Sequence, residues 1–233
     1  MSTKDFYQEI EHTPIQWREY LLHVPLFFTD FMLISASFLA PLERLKAILP
    51  SSRLKPYRIT PWHGIISITA YQYLECDIGP YNEVGIGVPV TIDEPTPLFT
   101  GILRKTQSNP MIYSHCLPVT TQVALDVGVE FAGYPKFIAD ITFSKEADWI
   151  TCNLIEDGKN IINFSGRQLD METARRVTIN PITLRNGDDV KMELGDHRIS
   201  DELRSLNLGR LSSYLYCPHV QGILTPVLES YEA

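Results

Sequence analysis

A chain of 233 residues, 44% hydrophobic and 21% charged, has material for a sizeable core and fits one large domain or two small ones. Its net charge of −8, with no Lys/Arg run to offset it, argues against nucleic acid as a partner and gives no long-range attraction for an anionic substrate. Cys76, Cys116, Cys152 and Cys217 form no C-x-x-C pair and are read as reduced, buried thiols, so neither a metal nor a cofactor is expected.

Residues 2–12 read as a short docking helix or an arm, with Ser2 or Thr3 as cap and Asp5 in the first turn. Lys4, Asp5, Glu9 and Glu11 leave no apolar signal core, so a cytoplasmic protein is expected and the sequon Asn163-Phe-Ser165 is read as chance. The apolar run Leu26–Leu42 is interrupted by Asp30 and closed by Pro41, which is too short to span a bilayer. No membrane partner is expected. A buried strand is predicted at 30–38 and a helix at 41–49, where Leu42, Leu45 and Leu49 recur at helical spacing before Pro50.

From Gly64 the pattern becomes β: Ile66, Ile68 and Ala70 alternate with Ser67, Thr69 and Tyr71. A turn at 79–83 then leads into a strand at 84–90 with Val84, Ile86, Val88 and Val90 on one face. Gly85-x-Gly87 lacks the third glycine and following helix of a dinucleotide fingerprint. Further strands are predicted at 97–104, 119–127, 137–143, 149–155, 159–164, 175–184 and 188–194, with Asp157-Gly158 as a hairpin turn. A helix is expected at 201–207, capped by Ser200 and ended by Gly209. Many short strands and few helices make a mainly β, antiparallel architecture.

The chemistry centres on Asp126–Lys136, where two apolar stretches flank Gly133-Tyr134-Pro135 and one lysine follows. A solvated lysine titrates near ~10.4 and is a poor nucleophile; bringing it to about 7 costs about 4 kcal/mol, which an apolar pocket can supply. Such an amine attacks carbonyls and forms a Schiff base. The competing reading is a surface lysine at the mouth of a strand. Glu83 is read either as a solvated turn residue or as the carboxylate that shuttles protons for that amine. A glutamine at Glu83 is expected to cost activity and leave folding nearly unaffected. Glu130 is read as a structural hydrogen-bonding partner, and His63 and His115 as structural. No G-x-S-x-G or H-E-x-x-H motif anchors a hydrolase reading.

The pattern G-x-E-x-x-x-Y-P-K ending at Lys136, with Gly79-Pro-Tyr-Asn-Glu83 upstream, resembles the acetoacetate decarboxylase family from about residue 24 to the C-terminal L-T-P-V-L-E-S-Y. The resemblance implies one β-rich domain over residues 1–233, with 1–23 as a possible arm, curved into a cone-like barrel around the lysine. It also implies a homo-oligomer, a Schiff base on Lys136 and Glu83 in the same pocket. That family is an established example of lysine activation. Three departures stand out. Phe137 replaces a second lysine, Phe31 falls where the decarboxylases carry an arginine, and Ile68, counted without a gap, falls where they carry another glutamate. Phe31, Ile68 and Tyr134 are therefore expected to line a more apolar substrate pocket.

The expected function is a lyase that decarboxylates a small β-keto acid through an iminium on Lys136. Its alternative is an aldolase or aldolase-dehydratase using the same lysine on pyruvate or another α-keto acid. A non-catalytic carrier of a small apolar ligand is the reading from a different class.

Overall fold

The computed structural model describes residues 7–95, 111–168 and 190–224. Strands β1 (Thr13–Trp17) and β2 (Tyr20–Val24) form a hairpin. Strand β3 (Leu26–Pro41) is followed by helix α1 (Leu42–Ala47), and β4 (Leu54–Pro56), β5 (His63–Cys76), β6 (Tyr81–Ile92) and β7 (Met111–Cys116) come next. Helix α2 (Gln122–Ala132) precedes β8 (Asp140–Glu146), β9 (Trp149–Glu156), β10 (Lys159–Arg167) and β11 (Val190–Leu194). Helix α3 (Arg198–Ser205) and strand β12 (Leu211–Leu224) complete the order. All named strand pairs are antiparallel. One sheet runs β12-β3-β5-β6, with β4 and β7 both pairing β6, and a second runs β11-β10-β9-β8. The chain is thus mainly β, and no closed ring of strands forms among the described residues.

Period-2 alternation gives the large sheet two different faces. Ile34, Ala36, Ile66, Ile68, Ala70, Val84 and Ile86 are buried on one face. There they share a core with Cys152, Leu154, Ile162 and Phe164 of the second sheet and Ile199 and Leu203 of α3. Each such aliphatic side chain contributes about 1.5–3 kcal/mol on burial. The other face begins with hydroxyl pairs, Ser37 with Ser67 and Ser35 with Thr69, both at 2.7 Å. Farther along the same strands it turns aromatic, where Leu33 lies opposite Tyr71 and Phe31 opposite Tyr73. A second core of Leu22, Leu26, Phe28, Phe31, Tyr81, Val119, Ala124 and Val127 covers that end.

Several boundaries differ from the sequence expectations, for local reasons. Residues 119–127, expected as a strand, enter α2 instead. Ala124, Val127 and Gly128 are its buried positions, spaced i, i+3, i+4, and Gly133 (φ 64°) ends it in the left-handed conformation. The turn expected at 79–83 is tighter: Gly79 (φ 81°) makes it, and Glu83 already lies within β6. Pro41 is the N-cap of α1 rather than its first helical residue. Residues 137–139 stay irregular before β8 begins at Asp140.

Helix α3 starts before the expected Ser200 cap, because His197 Nδ1 accepts from the Ile199 N–H at 3.2 Å. Ser200 is buried inside the helix and donates to the Ile161 carbonyl at 2.6 Å. Asn207 (φ 52°) turns the chain beyond it. Asp157 (φ 49°) and Gly158 (φ 73°) form the expected hairpin turn. Residues 7–10 make a turn that leads into β1, where Tyr7 donates to the Phe28 carbonyl at 2.7 Å. The strand candidates 97–104 and 175–184 and the cap candidates Ser2 and Thr3 lie outside the described residues. No helix among the described residues is long and apolar enough to cross a membrane.

Candidate active site

The segment Leu117–Val119 lies between Glu83 and Lys136 and determines their separation. On one side, Val84 N–H donates to the Pro118 carbonyl at 3.1 Å, and Val119 bridges Glu83 antiparallel. On the other side, Val119 bridges Ile138 in parallel; its N–H donates to the Phe137 carbonyl at 2.9 Å, and its carbonyl accepts from Ala139 at 3.0 Å. The lysine segment is held from α2 as well, by Tyr134 N–H donating to the Gly128 carbonyl at 3.0 Å. These backbone bonds bring residues 53 positions apart into one enclosure.

Inside it, Lys136 Nζ donates to Glu83 Oε2 at 2.5 Å, with the two side chains only 5% and 8% exposed. A buried ion pair loses most of its Coulombic gain to desolvation, so it is weak evidence for stability and better evidence for a role in chemistry. Burial pushes the Glu83 carboxyl above the usual carboxylate range, against the pull of the Lys136 ammonium and of hydrogen bonds from Tyr73 and Tyr81. In the alternating reading of β5, Ile68 and Tyr71 belong to opposite faces, and the residue opposite Glu83 is Tyr71.

The walls are aromatic. Lys136 Nζ lies 5.7 Å from the Tyr81 ring centroid and 5.9 Å from that of Tyr134. Tyr73 stacks on Tyr81 at 4.5 Å and on Tyr71 at 5.7 Å, and meets Phe31 at 5.1 Å. Burial, with the nearby Glu83 charge, raises the Tyr71 phenol to about 12 and those of Tyr73 and Tyr81 well above their ordinary value. Gly128 completes the enclosure from α2: a Cβ there would overlap Cδ and Cε of Lys136.

Of the residues singled out in the sequence, Lys136, Glu83, Tyr134 and Phe31 come together. Ile68 does not. It is fully buried in the core on the opposite face, paired with Ile86, because counting fifteen positions back ignores the actual β5–β6 register. Phe137 also packs against that core, away from the amine next to it in sequence. Glu130 lies at the surface and pairs with Arg18, which also reaches Asp126 at 3.3 Å. His115 pairs with Glu202 at 3.0 Å, and His63 bonds Thr60 at 3.2 Å, both outside the enclosure. Tyr71, Tyr73, Tyr81 and Gly128 were missed. The signal available was Tyr71-x-Tyr73, two aromatic residues on one strand face ahead of Tyr81-x-Glu83.

Burial pushes the Cys116 and Cys152 thiols up to about 12, the opposite of what a thiolate nucleophile needs. Among the described residues, no group of three or more His, Cys, Asp or Glu side chains is placed to hold a metal ion.

No curated protein sequence matches. Among solved structures, an acetoacetate decarboxylase from Legionella pneumophila superposes with a TM-score of 0.62 at 15% identity, over 98% of each chain. Another acetoacetate decarboxylase structure gives 0.60 at 14% identity, over 88% of this chain and 91% of that one. The enduracididine biosynthesis enzyme MppR, complexed with pyruvate, gives 0.57 at 13% identity, over 92% of this chain and 99% of that one. At these identities the likeness is one of fold. The family model described as acetoacetate decarboxylase (ADC) matches residues 10–179. The chain belongs to the acetoacetate decarboxylase family.

Proposed function

We propose that this protein is a Schiff-base-forming lyase acting on a small keto acid, with Lys136 as nucleophile and Glu83 as its proton partner. The observation that carries the reading is the 2.5 Å contact between the Lys136 amine and the Glu83 carboxylate inside a tyrosine-lined enclosure. Glu83 takes a proton from the ammonium, and the freed amine attacks the substrate carbonyl. The C–N bond forms as the carbonyl π bond breaks, and the oxygen takes up the proton that the attacking nitrogen releases, giving a neutral carbinolamine. Glu83, now protonated, gives its proton to that hydroxyl, which leaves as water and creates the iminium. In a β-keto acid the iminium accepts the electron pair of the breaking C–C bond. Carbon dioxide departs, and the resulting enamine is protonated on carbon and hydrolysed.

A second reading uses the same iminium on pyruvate, where loss of a methyl proton gives an enamine that attacks an aldehyde. It is favoured by the fold likeness to MppR, solved with the condensation product of pyruvate and imidazole 4-carboxaldehyde.

The test is borohydride reduction during incubation with acetoacetate, pyruvate, or pyruvate plus an aldehyde. Mass spectrometry should find a secondary-amine adduct on the peptide containing Gly133-Tyr134-Pro135-Lys136. Lys136→Arg should abolish it, because a guanidinium stays protonated and forms no imine. Carbon dioxide release from acetoacetate supports the first reading, and a condensation product formed only with pyruvate and an aldehyde supports the second. No adduct with any of these acids overturns both and returns the protein to the class of apolar-ligand carriers.

A further inference from the structure

Glu83 has two oxygens, and they face different chemistry. Oε2 is on the Lys136 amine. Oε1 faces the Tyr73 hydroxyl, which donates to it at 3.5 Å. That is long for a hydroxyl–carboxylate bond. The Tyr81 hydroxyl also pulls the Glu83 carboxyl down by hydrogen bonding, and its ring stacks on that of Tyr73 at 4.5 Å. Tyr73 comes from β5 and Tyr81 from β6, paired directly across the sheet. Tyr71 of β5 and Tyr134 of the lysine segment are the remaining titratable groups near enough to feel the carboxylate's charge.

We propose that Tyr73 and Tyr81 are positioning residues of this site, a stacked phenol pair whose hydroxyls face the Glu83 carboxylate, with Tyr73 on Oε1, holding Oε2 on the amine and stabilising Glu83 in its ionised form. The inference rests on the Schiff-base reading for its purpose and on the hydroxyl geometry for its substance. The phenols oppose burial, which by itself would keep Glu83 protonated and unable to take the lysine proton. Neither tyrosine need touch substrate. Each acts through the carboxylate, donating a hydrogen bond that strengthens as charge develops there.

Tyr73→Phe and Tyr81→Phe each delete one hydroxyl and keep the ring. The direct measurement is the titration of the Glu83 carboxyl, followed by carbon-13 NMR of glutamate-labelled protein and assigned with Glu83→Gln. Each variant should raise the Glu83 midpoint by about one unit, the value of one charge-assisted hydrogen bond. In the borohydride assay, the limb of the pH profile belonging to Glu83 should move up by the same amount. A purely packing role for the tyrosines would lower stability and leave the midpoint in place, and an unmoved midpoint in both variants overturns the inference. Failure of the Schiff-base reading is separately visible as absence of any adduct in the unsubstituted protein, whatever the titration does.

Discussion

The side chain of Lys136 runs across Gly128, filling the space that any β-carbon on that turn of α2 would take. The glycine is buried in the helix interior, where it costs about 1 kcal/mol relative to alanine, so its place there has a local reason. The helix gives up stability so that the lysine methylenes can lie against its backbone.

Gly128→Ala should therefore separate helix from site. Its helix propensity improves, but the new methyl occupies the position of Lys136 Cδ and Cε. The lysine must swing away from Glu83, and the rate of borohydride-trapped adduct should fall by at least about tenfold, a loss of about 1.4 kcal/mol in the barrier. Circular dichroism should show the helix retained. An adduct rate equal to that of the unsubstituted protein would mean that the lysine reaches its carbonyl by another path.

Glu83→Gln is expected to slow turnover by about 10²–10⁴-fold if the carboxylate is the proton shuttle. The sequence alone suggested that folding would be untouched; the buried contact with Lys136 changes that expectation. Removing one partner of a buried ion pair costs about 3–5 kcal/mol, because it leaves the other charge without compensation. Urea denaturation should show this loss, and the double variant Glu83→Gln/Lys136→Met should recover most of it. If the single and double variants prove equally unstable, the pair is not the source of the loss.

Phe137→Lys introduces the second lysine that the family resemblance leads one to expect, and here it is expected to harm rather than help. Phe137 packs against the main core, whereas Lys136 faces the tyrosines, so a cation at 137 would point away from the amine. Loss of apolar contact and partial burial of a charge should cost about 2 kcal/mol in urea denaturation. Adduct formation at Lys136 should not accelerate. A tenfold faster adduct would show that the new ammonium turns towards the site.

That Lys136 and Glu83 share a pocket was implied only by the family resemblance; by itself the sequence determined the alternating β5 and β6 strands and the Asp157-Gly158 hairpin. These are periodicities and turn chemistries written locally, in which each residue's neighbours are its own chain neighbours. Tertiary structure decided the rest. Val123, Leu125, Val127, Val129 and Phe131 alternate with Ala124, Asp126, Gly128 and Glu130, a pattern that suits a strand as well as a helix; the helix follows from what Ala124, Val127 and Gly128 pack against. Register did the same for the enclosure. Counting along the chain put Ile68 beside Glu83, but strand pairing puts Tyr71 there and turns Ile68 to the opposite core, since a shift of an odd number of residues exchanges the faces of a strand. Phe137 does point away from Lys136, as alternation along a strand would have it, but residue 137 is not in a strand, and its direction follows from the core it packs against. Residues that meet only through strand pairing, such as Tyr73, Tyr81 and Glu83, acquire their shared hydrogen bonds from the fold, because no local pattern specifies which hydroxyl will reach which oxygen.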